Sequence, residues 1–185
     1  MRELSLHLLD LVENAYEAGA TRVELSLEEN PEEDCLVIRV ADNGCGMDEE
    51  LRRTATSPFY TSRSTRRVGL GLSLLAAAAE QCGGEVQVEE GKERGTVVTA
   101  TFQRSHLDRA PLGDLLSTLL VLVRGFEGLE LHYFHRVGER SFSFNSSSLK
   151  KKLGGVPFSR NLRQLKEFLN EELAGLGTEG VAVTR

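Results

Sequence analysis

The sequence predicts an α/β protein of two layers, a mixed sheet with helices packed on one face. Three observations carry this. The first hundred residues alternate helix-period and strand-period segments in the order helix, strand, strand, helix, loop, helix, strand, strand. Composition is that of an ordinary folded chain, 40% hydrophobic and 27% charged over 185 residues. No apolar run reaches the ~18 residues needed to span a bilayer.

The first helix is predicted over about Glu3 to Ala18, closing at Gly19. Leu4, Leu8, Leu11, Val12, Ala15 and Ala18 make one apolar stripe, and His7, Asp10 and Asn14 run along its border. "TRVELSLEE" alternates as a half-buried strand, and "CLVIRVA" is a denser one that ends in "DNGCGM". A short helix capped by Asp48 runs to about Ala55. Residues Ser57–Arg67 form a polar, basic loop that Pro58 keeps from being helical. "GLSLLAAAAEQC" then reads as a helix ended by Gly83-Gly84, followed by strands "EVQVEE" and "TVVTATF" around the turn "GKERG".

Beyond a seam at Ser105–Pro111 the pattern predicts a helix from Leu112 to Val123, a hairpin ("LELHYFHRV", "RSFSFNSSS") and a last helix from about Arg160 to Leu173. The organisation expected is therefore a first domain over 1–104 and a small C-terminal α-β-β-α module over 111–185.

Charge is uneven, with 20 acids against 12 bases over residues 1–110 and 8 against 10 over 111–185. A net charge of −6 gives no pull toward nucleic acid or anionic lipid, and Lys150-Lys151-Lys152 reads as a solvated face. Cys35, Cys45 and Cys82 lack C-x-x-C spacing, which favours idle thiols over disulfides or zinc. His132 and His135 stand three apart in a strand, on opposite faces, and make a poor metal pair. The opening residues carry no basic-then-apolar signal, so a cytoplasmic location is expected.

The stretch "SPFYTSRSTRRVGLGLSLL" has the glycines, hydroxyls and arginines of a phosphate site. The lysine-bearing G-x-x-x-x-G-K-[ST] loop, however, occurs nowhere in the chain. Singly, Asn14, "DNGCG" and "GLGL" could each be plain structure; their order is what carries meaning. "DLVENAYEAGATRV" resembles the asparagine box of the GHKL ATPases, the superfamily of gyrase, heat-shock chaperones, histidine kinases and MutL. "DNGCGM" resembles its first glycine box, and "SPFYTSRS…VGLGLSLL…CGG…GT" the lid and second glycine box of sensor histidine kinases. The resemblance runs from Leu4 to Phe102 and implies the Bergerat ATP-binding fold.

By that resemblance, Asn14 holds a Mg²⁺ that bridges the ATP phosphates, for which an amide oxygen is a suitable hard ligand. Asp42 accepts a hydrogen bond from the adenine amino group, and a carboxylate that can only accept disfavours guanine. Gly44 and Gly46 let the loop turn and approach the base, and Thr96 supports aspartate and base. Gly69 and Gly71 hinge the lid onto a helix whose N-terminus faces the phosphates, and Arg63 supplies a mobile charge, with Arg66 and Arg67 less securely placed. The base for water activation falls at Asp10, one turn before Asn14, where the ATPase branches carry glutamate; Glu13 competes, about 100° around the helix.

With thirteen residues before the asparagine, no phosphoacceptor hairpin is expected, and His7 is expected as a cleft-edge or surface histidine. The expected function is that of a small ATP-dependent signalling protein: a kinase-like phosphotransferase or slow ATPase, or alternatively a nucleotide-gated switch. The expected partners are ATP and a protein target, with a homodimer through residues 111–185 also in view, and no nucleic acid or membrane.

Overall fold

The structure, a computed structural model, describes residues 3–56, 71–92, 94–126 and 128–178. Helix α1 spans Leu4–Glu17, and Gly19 ends it with φ +78°. Strands β1 (Arg22–Asn30) and β2 (Cys35–Asp42) follow, then the short α2 (Glu49–Thr54). As its sequence predicts, Asp48 caps α2, its Oδ1 accepting from the Leu51 N–H at 2.7 Å. Next come α3 (Gly71–Gln81), β3 (Val86–Glu90) and β4 (Thr96–Gln103).

The second half supplies α4 (Leu115–Gly125), β5 (Glu130–Val137), β6 (Arg140–Asn145), α5 (Ser146–Lys152) and α6 (Leu162–Leu176). Two departures from expectation have local causes. Helix α4 starts three residues later than predicted because Gly113 adopts φ +79° and Asp114 caps it, accepting from the Ser117 N–H. The serines read as the end of a strand form α5 instead, capped by Asn145, which accepts from the Ser148 N–H at 3.0 Å.

The six strands form one sheet in the order β3-β4-β2-β1-β5-β6. Every neighbouring pair is antiparallel except β1 and β5, which run parallel. The C-terminal hairpin thus continues the sheet of the first half rather than forming one of its own. Helices α1, α3, α4 and α6 cover one face, and one hydrophobic cluster runs beneath them from Leu75 and Phe102 through Leu8 and Leu25 to Tyr133 and Leu169. The alternation of Val23, Leu25 and Leu27 with polar residues puts the apolar set on this face, as strand geometry requires.

One polar group breaks the alternation. Glu29, the next residue on the core face of β1, is 3% exposed. Its Oε1 accepts from Thr178 Oγ1 (2.6 Å) and meets His135 Nε2 (3.2 Å), while Oε2 faces Arg104 Nε (3.3 Å). Tyr133 Oη closes the chain on His135 Nδ1 at 3.0 Å. A carboxylate only accepts, so His135 Nε2 carries a proton here. Burial alone would push Glu29 up; the hydrogen bonds of His135 and Thr178, with the nearby charges, outweigh it and hold the carboxyl below its ordinary range. Burial, reinforced by the Glu29 charge, drives the Tyr133 phenol far upward.

Candidate nucleotide site

At one end of the sheet, α1, the loop after β2, the first turn of α3 and the start of β4 converge on a narrow cleft of about 60 Å³. Its walls are Leu11, Ala15, Ala18, Val40, Met47, Leu72 and Val98, and its polar groups are Asn14, Asp42 and Thr96. An apolar slot with a few fixed polar groups is what a planar heterocycle needs. Wider concavities lie around His132 and Phe144 and around Arg124 and Phe158, away from Asn14 and Asp42.

Asp42 ends β2 and is held on both sides. Its Oδ1 accepts from the Gly44 N–H at 2.7 Å, and the Thr96 N–H donates to it as well. Burial nevertheless pushes its carboxyl above the ordinary aspartate value, against the pull of those two donors. Asn43 anchors the loop from outside, its Oδ1 accepting from the Thr21 and Arg22 N–H groups, each at 2.9 Å.

The glycines serve the loop's packing. A Cβ on Gly44 would lie 2.9 Å from the Ala18 carbonyl oxygen, so its absence lets the loop sit on the end of α1. That contact is tied by the Cys45 N–H donating to the same oxygen at 3.0 Å. Gly46, at φ +71°, lies against Gly95, and a Cβ on Gly95 would come within 2.0 Å of the Asp42 carbonyl oxygen. Sequence reasoning placed Gly95 only as the neighbour of Thr96 and passed over Asn43. The turn signals "DNG" and "GKERGT" were the clues to both.

Asp10 and Asn14 stand one turn apart on α1, both half-buried, whereas Glu13 is exposed. Asn14 reaches the cleft wall, and its amide makes no hydrogen bond among the described residues. Asp10 Oδ2 sits 3.1 Å from the position a Cβ on Gly71 would take, which places the carboxylate at the start of α3. Burial raises its pKa above the ordinary value. The structure therefore gathers Asp10, Asn14, Asp42, Gly44, Gly46, Gly71 and Thr96 around one end of the sheet. Arg63 and Gly69, with Arg66 and Arg67, lie outside the described residues. Among the described residues no histidine, cysteine and acid cluster could hold a metal, and no helix is long and apolar enough to cross a membrane.

His7 departs from expectation. It is 2% exposed, buried rather than at the surface. Desolvation lowers its pKa from 6.5 to about 4. The unfolded chain therefore binds a proton there that the folded chain refuses between those values, and stability falls as pH drops from 6.5 toward 4. The loss expected is on the order of 3 kcal/mol. Urea titrations at pH 7 and pH 4.5 check it, and His7→Leu should flatten the difference.

Comparison with known proteins agrees with this geometry. Residues 2–106 match the family described as histidine kinase-, DNA gyrase B- and HSP90-like ATPase. The chain is 34% identical over 96 residues to the sensor histidine kinase CitA of Klebsiella pneumoniae, covering 49% of this chain and 17% of that protein. It is 35% identical over 117 residues to the signal transduction histidine-protein kinase AfsQ2 of Streptomyces coelicolor, covering 61% and 21%. It is 37% identical over 106 residues to the DNA mismatch repair protein MutL of Gemmatimonas aurantiaca, covering 53% and 17%. The chain thus spans about a fifth of the length of these curated relatives. Among solved structures, the N-terminal domain of a DNA repair protein superposes with a TM-score of 0.50 over 77% of this chain and 52% of that one, at 15% identity, a likeness of fold. With the cleft, the asparagine helix and the glycine turns in one place, the chain belongs to the histidine kinase-, DNA gyrase B- and HSP90-like ATPase family.

Proposed function

We propose that this protein binds Mg²⁺-ATP in the cleft between α1, the Asp42 loop and α3, and acts as a small cytoplasmic signalling protein that turns ATP over slowly. The observation that supports the reading best is Asp42. A half-buried carboxylate fixed by two backbone N–H groups, at the mouth of an apolar slot, is an acceptor aimed at an adenine amino group. Thr96 braces it from β4. Asn14, whose amide makes no hydrogen bond among the described residues, would hold the Mg²⁺, and the cation would draw the phosphates toward the first turn of α3. Gly71 lies at that turn, and Gly69 and Arg63 are assigned to the same end by sequence.

Asp10 is the base in this reading. It stands beside that turn with a raised pKa, while Glu13 points to solvent. The γ-phosphoryl group goes either to water or to a side chain of a protein partner. Aspartate is one C–C bond (~1.5 Å) shorter than glutamate, and this favours slow turnover. The same shortness supports a second reading, a nucleotide-gated switch in which ATP occupancy sets partner binding and hydrolysis only resets it.

Incubation with γ-labelled ATP, with and without candidate protein partners, separates these outcomes. Label on a partner identifies a phosphotransferase, and released phosphate identifies an ATPase. Asp10→Asn is expected to lower kcat about 10²-fold while ATP affinity stays within a factor of about three. Unchanged turnover in that variant would remove Asp10 from the reaction. Absence of ATP binding by the unaltered protein would overturn the reading as a whole.

A further inference from the structure

The lysine run read from sequence as one solvated face is divided by the fold. Lys152 stands over the Phe168 ring, 4.7 Å from its centroid, whereas Lys150 lines a separate concavity of about 810 Å³. Two further cations reach the same wall, Arg22 from the start of β1 and Arg124 from the last turn of α4. Arg22 is paired with Glu24 at 3.8 Å, but Arg124 and Lys150 make no ion pair among the described residues. The one acid among the described lining residues is Glu130. It is already engaged, by Asn145 at 2.5 Å and by His132 at 3.4 Å. In a chain of net charge −6, three bases against one occupied acid reverse the local sign.

The rest of the wall suits a ligand that is not all charge. Thr21 Oγ1 accepts from Asn43 Nδ2 at 3.0 Å, which leaves its hydrogen to donate, and Ser159 adds a second exposed hydroxyl. Val123, Phe126, Leu129 and Phe158 contribute apolar surface. Pockets of ~300–1,000 Å³ with mixed walls of this kind are where small molecules bind. The place is distinct from the nucleotide cleft: Asn43 lines this concavity, its neighbour Asp42 lines the cleft, and no residue lines both.

We propose that this concavity is a second ligand site, which takes a small phosphate monoester with an apolar body. One guanidinium fork satisfies both oxygens of a carboxylate, whereas a phosphate presents three oxygens and two charges, which three bases match. Arg124 and Lys150 supply charge-assisted hydrogen bonds, with the hydroxyls of Thr21 and Ser159 beside them. Val123, Phe126 and Phe158 receive the apolar part. The binding is non-covalent and does not require ATP.

The test is titration of the full chain with phenyl phosphate, followed by calorimetry and amide chemical shifts, with benzoate, phenol and inorganic phosphate as comparison probes. Phenyl phosphate is expected to bind at least about tenfold more tightly than each of the others. It should shift the amides of Thr21, Phe126, Ser147 and Ser159. Arg124→Gln and Lys150→Gln are each expected to weaken it about tenfold, and the double variant about a hundredfold. Both side chains are exposed, so Tm should stay at the wild-type value. Lys151→Gln, which alters an exposed lysine off the wall, and Asp42→Asn should leave the affinity unchanged. Inorganic phosphate bound as tightly as phenyl phosphate leaves only an unspecific anion patch and overturns the proposal. Equal affinity for benzoate overturns the ligand class. Loss of binding in Asp42→Asn, or shifts confined to the nucleotide cleft, puts the probe in that cleft and overturns the second site. An equal loss in Lys151→Gln and Lys150→Gln, or no binding at ~10 mM, overturns it as well.

Discussion

Asp42→Asn is expected to weaken ATP binding about 10²–10³-fold while the fold survives. The wild-type carboxylate accepts from the Gly44 and Thr96 N–H groups and keeps lone pairs free for a base at the cleft. An amide can present its oxygen to only one of these directions; its NH₂ then faces a donor, either in the loop or on the adenine. Removing one partner of a buried charged hydrogen bond costs about 2–5 kcal/mol, and the middle of that range corresponds to 10²–10³-fold in affinity. The specificity changes too. An NH₂ at this place donates toward the carbonyl of guanine, so the preference for ATP over GTP should collapse along with the affinity. Calorimetric titrations with ATP and GTP at matched Mg²⁺ check both effects. ATP affinity within tenfold of wild type in Asp42→Asn would mean that the base sits elsewhere.

What could be read from the sequence was local. The stripe of Leu4, Leu8, Leu11 and Val12 fixes the buried face of α1, and the alternation in "TRVELSLEE" and "CLVIRVA" fixes which side of β1 and β2 meets it. Asp10, Asn14, Asp42 and Thr96 could be named because each sits at a fixed offset in a segment with its own motif. The parallel pairing of β5 with β1 was not legible. It joins Arg22 to Glu130 across more than a hundred residues, and no residue type announces a parallel neighbour. Helix α5 was hidden because "NSSSLKKK" has turn-like composition. Its one local signal is Asn145 placed three residues before the N–H it caps. For the glycines the positions were readable and the reasons were not: Gly44 and Gly95 are required by neighbours from α1 and β2. His7 misled because a polar residue on a stripe border reads as cleft edge or surface, whereas this one is 2% exposed. Nothing local marks Glu29 as buried, because its three partners, Arg104, His135 and Thr178, are distant in sequence.

Glu29→Leu is accordingly expected to be strongly destabilising, at about 3–5 kcal/mol. The leucine itself fits a core position, so the cost comes from what it leaves behind. His135 is fully buried and loses the acceptor for Nε2, Thr178 loses its acceptor at 2.6 Å, and Arg104 keeps a charge without its counter-ion. Four segments meet at this one carboxylate: β1, the end of β4, β5 and the residues after α6. For a domain of this size the loss amounts to roughly 10 °C in Tm. It also changes the pH profile. The folded carboxyl lies below its ordinary 4.5, so its contribution is complete above that value and is lost as pH falls through the folded pKa. The wild type should therefore lose stability in two stages, the first from His7 between pH 6.5 and 4 and the second from Glu29 below about 4.5. Glu29→Leu removes the second stage and leaves the first; His7→Leu does the reverse. Nucleotide binding should persist where the variant is folded, because Glu29 lies at the end of β1 away from Asp42, six residues or about 20 Å along the strand from Val23, the residue that pairs with Asp42. Urea unfolding at 15 °C between pH 3.5 and 7, with ATP affinity measured on the same samples, decides the matter. Equal stability of wild type and Glu29→Leu at pH 7 would show that the network is no stronger than the apolar contact that replaces it.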